Sequence, residues 1–238
     1  MLRNERRKVI AALMALLMLA VFSAYAETNA SSLDVLEKHM QENFTGAIYS
    51  EFLAACNEQR GEAFAREKAL YYSSYYPDNA DIAWGILMYC DPFSEPAQII
   101  KAGAAILRDF DLPAYNEDMS VKPHESDVSY CTSVYTTCAY AYYQLGDEEN
   151  LVMAGDWVLS YAGYNERQFS SALSVADYVT LHFIHNSNDE KALYYAKQVE
   201  SLFSKYGDQY PKTIEKFMPE YEITFVPLLE KFVQSQEQ

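Results

Sequence analysis

The chain has 238 residues, half of them hydrophobic and 15% aromatic, with 34 Asp and Glu against 18 Lys and Arg and a formal charge of −16. That length and apolar content suit one domain or one short repeat array. The charge excludes nucleic acid as a partner, because binding it needs Lys and Arg to displace counterions, and it disfavours an anionic membrane surface for the same reason.

Arg3, Arg6, Arg7 and Lys8 form a basic start, Val9 to Phe22 is unbroken apolar sequence, and Ser23-Ala24-Tyr25-Ala26 places small residues where a signal peptidase reads. This order predicts a signal peptide over residues 1–26, cut after Ala26. The apolar run falls short of the ~20 residues that span a bilayer, and only by including Ser23 to Ala26 would it serve as an uncleaved anchor. No second stretch in the chain is apolar enough to insert stably. The expected mature protein, 27–238, is exported, periplasmic or extracellular. Residues 1–26 carry four of the 18 Lys and Arg and one of the 34 Asp and Glu, leaving 14 basic and 33 acidic, a charge of −19.

The rest reads as helix. Ser31-Ser32-Leu33-Asp34 resembles a capping start. Apolar stripes at helical spacing follow at Ile99, Ile100, Gly103, Ile106, Leu107 and Phe110, and at Cys131, Val134, Tyr135, Cys138, Tyr142 and Leu145. They recur at Leu151, Ala154, Trp157, Val158 and Tyr161, at Leu173, Ala176, Val179, Thr180 and Phe183, and at Leu193, Ala196, Val199 and Phe203. Each repeats at three and four residues, the period of one helix face. Short polar turns at Gly61, at 91–94, at Gly146 and at Asn188 are predicted to separate the two helices of a pair. Turns at 76–79, 162–165 and 206–208 are predicted to close each pair. Residues 111–127, with Pro113 and Pro123, lack any apolar period and predict a long polar loop. Residues 211–238, punctuated by Pro211, Pro219 and Pro227, predict a terminal capping segment, with Pro219 a helix break. Tyr221 to Val226 is the one candidate for extended backbone. The fold class expected is all-α, antiparallel hairpins in a short stack.

Residues 138–162, with Leu145-Gly146-Asp147 as the turn between two apolar stripes, resemble the centre of a tetratricopeptide repeat. Residues 187–203 resemble its second helix, with Ala192, Ala196 and Val199 at the small positions. Residues 94–110 and 61–76 are fainter echoes, and the resemblance spans residues 47–206. It departs from the family in turn spacing, 33, 52 and 42 residues from Gly61 through Ser94 and Gly146 to Asn188 against about 34, and in lacking the Trp-Leu-Gly-Tyr signature of the first helix. The resemblance implies a stack of helix pairs that binds a protein or peptide on its first helices.

Chemistry is less legible. Nucleophile elbows, phosphate loops, Cys-x-x-Cys pairs and His-Glu-x-x-His are missing, so no catalytic residue, cofactor or metal is expected. His182 and His185 share a helix face near Asp177 and Asp189, but zinc needs three or four ligands. A carboxylate-dependent hydrolase or glycan-active protein is the alternative, because abundant Asp and Glu always offer some carboxylate pair. Cys56, Cys90, Cys131 and Cys138 lie in apolar stretches. Burial favours core thiols, while an oxidising compartment would permit disulfides. Cys131 and Cys138, ~10 Å apart along one helix, cannot bridge each other.

The 21 tyrosines include four doublets, and neighbours ~100° apart on a helix rarely bury both rings equally. Off the apolar stripe of helix 128–145 stand Thr132, Ser133, Thr136, Tyr140 and Tyr143, the expected outward binding residues. Tyr49, Phe52, Trp84 and His182 are expected to continue their groove on other first helices. Such a groove in an acidic protein suits a protein or peptide partner of some basic character.

Overall fold

The computed structural model describes residues 33–110, 112–115 and 122–236. The expected signal peptide and the Ser31-Ser32 cap lie outside them. The described residues are helical throughout, with loops and no strand. None of their helices is long and apolar enough to cross a membrane. Two compact units divide the chain, one through Tyr72 and the other from Ser73.

The first unit holds helix α1 (33–42), α2 (Gly46–Arg60) and most of α3 (Glu62–Tyr75). Thr45 caps α2 by accepting the Ile48 N–H at 3.2 Å. Gly61, at φ 87°, turns the chain into α3 in a conformation that penalises any Cβ. Met40, Tyr49, Phe52, Leu53, Cys56, Ala65, Ala69 and Tyr72 are buried together. The Tyr72 hydroxyl donates to Glu37 Oε1 at 2.6 Å, and Lys68 Nζ reaches the same carboxylate at 2.8 and 3.0 Å. Burial first, and the Glu37 carboxylate second, push the Tyr72 phenol well above its usual range.

The second unit contains α4 (Ala80–Tyr89), α5 (Pro96–Leu107), α6 (Glu125–Leu145), α7 (Glu148–Ser160), α8 (Glu166–His185) and α9 (Asp189–Tyr206). Each packs on the next in chain order, and α6 also packs on α8. The α6–α7 and α8–α9 hairpins are therefore stacked, with first helix α6 against first helix α8.

Side-chain caps set the helix starts. Asn79, Asp147, Asn165 and Asn188 each accept backbone N–H groups of the first turn that follows, groups that a helix leaves unbonded. Pro96 and Pro211 start α5 and α10 (Pro211–Glu220), where the missing N–H costs nothing.

Two hairpins use one turn device. Gly146 is left-handed at φ 68°, its N–H meets the Tyr143 carbonyl, and the Asp147 N–H meets that of Tyr142. Ser187 is left-handed at φ 55°, with the Ser187 and Asn188 N–H groups on the carbonyls of Ile184 and Phe183. Both are Schellman closures whose next residue caps the second helix. The Leu-Gly-Asp turn and the glycine-free Asn-Ser-Asn turn thus do the same job.

Glycines let the layers approach. A Cβ on Gly103 would lie 2.2 Å from Cys138 Sγ, between α5 and α6. One on Gly155 would lie 2.8 Å from Val179 Cγ2, between α7 and α8. Two of the predicted stripes fill the core whole: Leu151, Ala154, Trp157 and Val158 of α7 with Tyr161 at its end, and Leu173, Ala176, Val179, Thr180 and Phe183 of α8, are all buried, whereas Leu145 at the end of the α6 stripe is exposed. Cys56, Cys131 and Cys138 are buried thiols outside any disulfide, and Cys90 is buried too. Burial raises the Cys56 and Cys131 thiols to about 11 and Cys138 to about 12, which keeps them protonated and unreactive.

Two expectations fail at the C-terminus. Pro219 does not break the helix: α10 continues through it. Tyr221 to Val226 is not extended either. Tyr221–Phe225 is a π-helical turn leading into α11 (Val226–Gln236). Pro219 and Pro227 bracket this turn and each removes one N–H donor, so the wider turn re-registers the backbone, with the Val226 N–H on the Tyr221 carbonyl. Phe217 and Phe225 pack with Phe169, Leu173, Ala176, Ala196 and Val199, so α10 and the π turn cover the end of the α8–α9 pair.

The polar loop is tethered where it is described. Trp157 Nε1 donates to the Leu112 carbonyl at 3.0 Å, and the Tyr161 hydroxyl to that of Pro113 at 2.8 Å. The Tyr115 N–H donates to Ser160 Oγ at 2.8 Å. On the far side the Tyr164 hydroxyl donates to the Pro123 carbonyl. The end of α7 and the turn after it therefore hold both shoulders of the loop.

Candidate functional site

The face formed by α6, α8 and α10 carries a pocket of about 280 Å³. α6 contributes Tyr140, and α8 and α10 each contribute a stripe at helical spacing: Ser170, Ser174, Asp177 and Tyr178 from α8, and Thr213, Lys216, Phe217 and Glu220 from α10. Leu173 forms the floor. Tyr178 is the centre of an aromatic cluster, with ring centroids 4.7 Å from Tyr140, 5.1 Å from Tyr143 and 5.7 Å from Phe93. Phe93 in turn stacks on Tyr140 at 6.0 Å.

Asp177 is half-buried in this pocket. Its Oδ1 is shut off from solvent and has no hydrogen-bond partner. Burial pushes its carboxyl above the usual aspartate range. The Thr224 hydroxyl, presented by the π turn, works against that shift, and the Glu220 carboxylate adds to it. Folded protein therefore holds the Asp177 proton to higher pH than unfolded chain does. The charged form weakens the fold at neutral pH, and this cost disappears as pH falls through the ordinary aspartate range. Asp177→Asn is expected to raise the melting temperature at pH 7, with the gain shrinking toward zero in acid. A variant equal to or less stable than the parent at pH 7, in thermal melts run across that range, would contradict this account.

The predicted binding residues separate. Tyr140 and Tyr143 meet on this face, Tyr140 bonded to the Ser174 hydroxyl and Tyr143 with its hydroxyl 3.4 Å from His185 Nδ1. Ser133 is half-buried, bonded to the Ser129 carbonyl at 3.0 Å and accepting from Arg167 at 2.9 Å. Thr136 is half-buried, with its hydroxyl oxygen sealed and unpartnered. Thr132 does not face outward: it is 1% exposed. The cause is that α6 is packed by α5, α7 and α8 at once, which leaves a narrow free strip where one apolar stripe implied a broad outer face.

The wider groove is corrected for the same kind of reason. Tyr49 and Phe52 are core residues of the first unit, and His182 is buried beside Phe183, 3.5 Å from Glu148 Oε2. Trp84 is half-buried, stacked on Tyr130 at 4.5 Å. His182 and His185 turn to different partners, and Asp189 pairs with Lys231. Among the described residues no three His, Cys, Asp or Glu side chains are placed to hold one metal ion.

Sequence reasoning missed Tyr178, Ser174, Lys216 and Glu220, and met Asp177 only as a neighbour of the histidines. The available signal was the polar stripe Ser170, Ser174, Asp177, Tyr178, lying opposite the apolar stripe of the same helix. A second, more open groove shares Ser170 with the pocket and runs past Ser129, Asn165, Glu166 and Arg167 toward Glu125. No family model, no curated protein and no solved structure matches the chain.

Proposed function

We propose that the chain is an exported, non-catalytic binding module of tetratricopeptide-like build that takes a protein or peptide on the face of α6, α8 and α10. The observation that carries this reading is the cluster of Tyr140, Tyr143, Tyr178 and Phe93 beside a pocket that shares Ser170 with an open polar groove. Tyrosine gives large contact area with little side-chain entropy to lose, and a long shallow track suits an extended chain. Export follows from the basic, apolar and Ala-x-Ala order of residues 1–26. N-terminal sequencing of the exported protein is expected to begin at Glu27, and a full-length membrane-embedded product overturns that half of the proposal.

Joint substitution Tyr140→Ala and Tyr143→Ala is expected to weaken partner capture by about tenfold or more, since hot-spot aromatics carry ~2 kcal/mol or more each. Tyr194→Ala is the control, because Tyr194 is 54% exposed on α9. Equal capture by the pair and the control, with folding intact, rejects the site.

A second reading has one observation in its favour. Asp177, with its raised carboxyl, and Glu220 share a pocket with hydroxyls and aromatic rings, as in a carboxylate-dependent hydrolase acting on glycans. Glycan turnover abolished by Asp177→Asn would favour it over the binding module.

A further inference from the structure

The pocket at Asp177 is small. At about 280 Å³ it falls just under the ~300–1,000 Å³ usual for sites that enclose whole small molecules, and it suits one long side chain of a larger ligand. Its carboxylates, Asp177 and Glu220, outnumber its one ammonium, Lys216. What acts on Asp177 is burial, the Thr224 hydroxyl and the neighbouring Glu220 carboxylate, with no cation among them. A desolvated carboxylate without a counter-ion is costly to keep. It gains most from a cation that arrives already carrying N–H donors. Two ring walls, Tyr140 and Tyr178, stand beside it. Aromatic rings attract cations and also cover the aliphatic stem of a long basic side chain.

We propose that this pocket is the anchor for a lysine or arginine side chain of the bound polypeptide, with Asp177 as the ion-pair acceptor and Tyr140 and Tyr178 flanking the stem. This rests on the peptide-binding reading above and adds to it the identity of the residue recognised. The ligand backbone then continues past Ser170 into the open groove. The charge of −19 on residues 27–238 draws basic chains toward the face at low salt.

The test uses the protein lacking residues 1–26, as the export signal predicts it. The probes are capped hexapeptides in which every position is varied through all residue types, read by fluorescence anisotropy. Lysine or arginine is expected to be selected at one position. Replacing that residue by norleucine in the best peptide should cost about tenfold or more, the scale of a hydrogen-bonded charge pair. Asp177→Asn should lose as much against the basic peptide and discriminate no further against the norleucine peptide. Peptides that bind with no basic selection, or a lysine-to-norleucine ratio unchanged by Asp177→Asn, overturn the anchor and leave the peptide-binding reading standing. No binding by any peptide overturns both. The norleucine comparison leaves the protein untouched, so a folding defect in the variant cannot mimic success.

Discussion

Trp157→Ala is expected to destabilise the second unit by about 3–5 kcal/mol, the range for truncating a large buried aromatic. Trp157 is 6% exposed, with its ring 4.4 Å from Tyr135 and 4.5 Å from Tyr161, so alanine leaves a void walled by two other rings. The same change removes the indole N–H on the Leu112 carbonyl, so one shoulder of the polar loop loses its tether. Trp157→Phe keeps much of the packing and loses the tether, and is expected to cost about 1–2 kcal/mol. Urea denaturation measures both, and amide exchange at Tyr115, whose N–H sits on Ser160 Oγ, reports the loop. An alanine variant within 1 kcal/mol of the parent would mean that the α7 stripe is not the core described above.

Gly103→Ala is expected to change sign with its background. In the parent chain the new methyl would sit 2.2 Å from Cys138 Sγ, and forcing α5 off α6 to relieve that costs about 1–3 kcal/mol. With Cys138→Ala already in place the sulfur is gone. The nearest remaining atoms are then Val134 Cγ1 at 3.4 Å and the Cβ of residue 138 at 4.0 Å. In that background the alanine gains the helix propensity that glycine lacks, up to ~1 kcal/mol. A double-mutant cycle by denaturation is the measurement. Gly103→Ala destabilising equally in both backgrounds would show that the close approach of α5 and α6 is not what fixes the glycine.

The fold was largely legible because a helix needs only a local period and punctuation. The α7 and α8 stripes were read residue for residue, and the turns at Gly61, Gly146 and Asn188 fell where helices end. Two of the four tyrosine doublets followed helix geometry as well, Tyr195 being 3% exposed and Tyr194 54%, Tyr72 5% and Tyr71 50%, whereas Tyr75 and Tyr76 are both exposed and Tyr142 and Tyr143 both half-buried. The C-terminal misreading came from treating Pro219 as a local stop, when backbone between two prolines can widen by one residue and carry on. The site was less legible for a different reason. One helix's pattern shows which side is apolar, and it is silent on how many neighbours that helix has. α6 has three principal neighbours, so Thr132 is interior while Tyr140 and Tyr143 reach the face. Asp177 owes its raised carboxyl first to burial, opposed by Thr224 and reinforced by Glu220, and those two lie some forty residues downstream, a proximity that no local pattern encodes.

The loop tethers have a consequence for how this chain can change over generations. Trp157, Tyr161 and Tyr164 all donate to main-chain carbonyls, at Leu112, Pro113 and Pro123, and Ser160 receives a main-chain N–H. Carbonyls are common to all twenty residue types. The clamp therefore recognises the path of the segment and very little of its spelling. Substitutions at 112, 113 and 123 that keep the local backbone leave every acceptor in place, whereas a change at 157, 161 or 164 deletes a donor outright. Relatives of this chain should accordingly vary freely along the segment while retaining the aromatic donors that hold it, so that this stretch is free to diversify without putting the surrounding helices at risk.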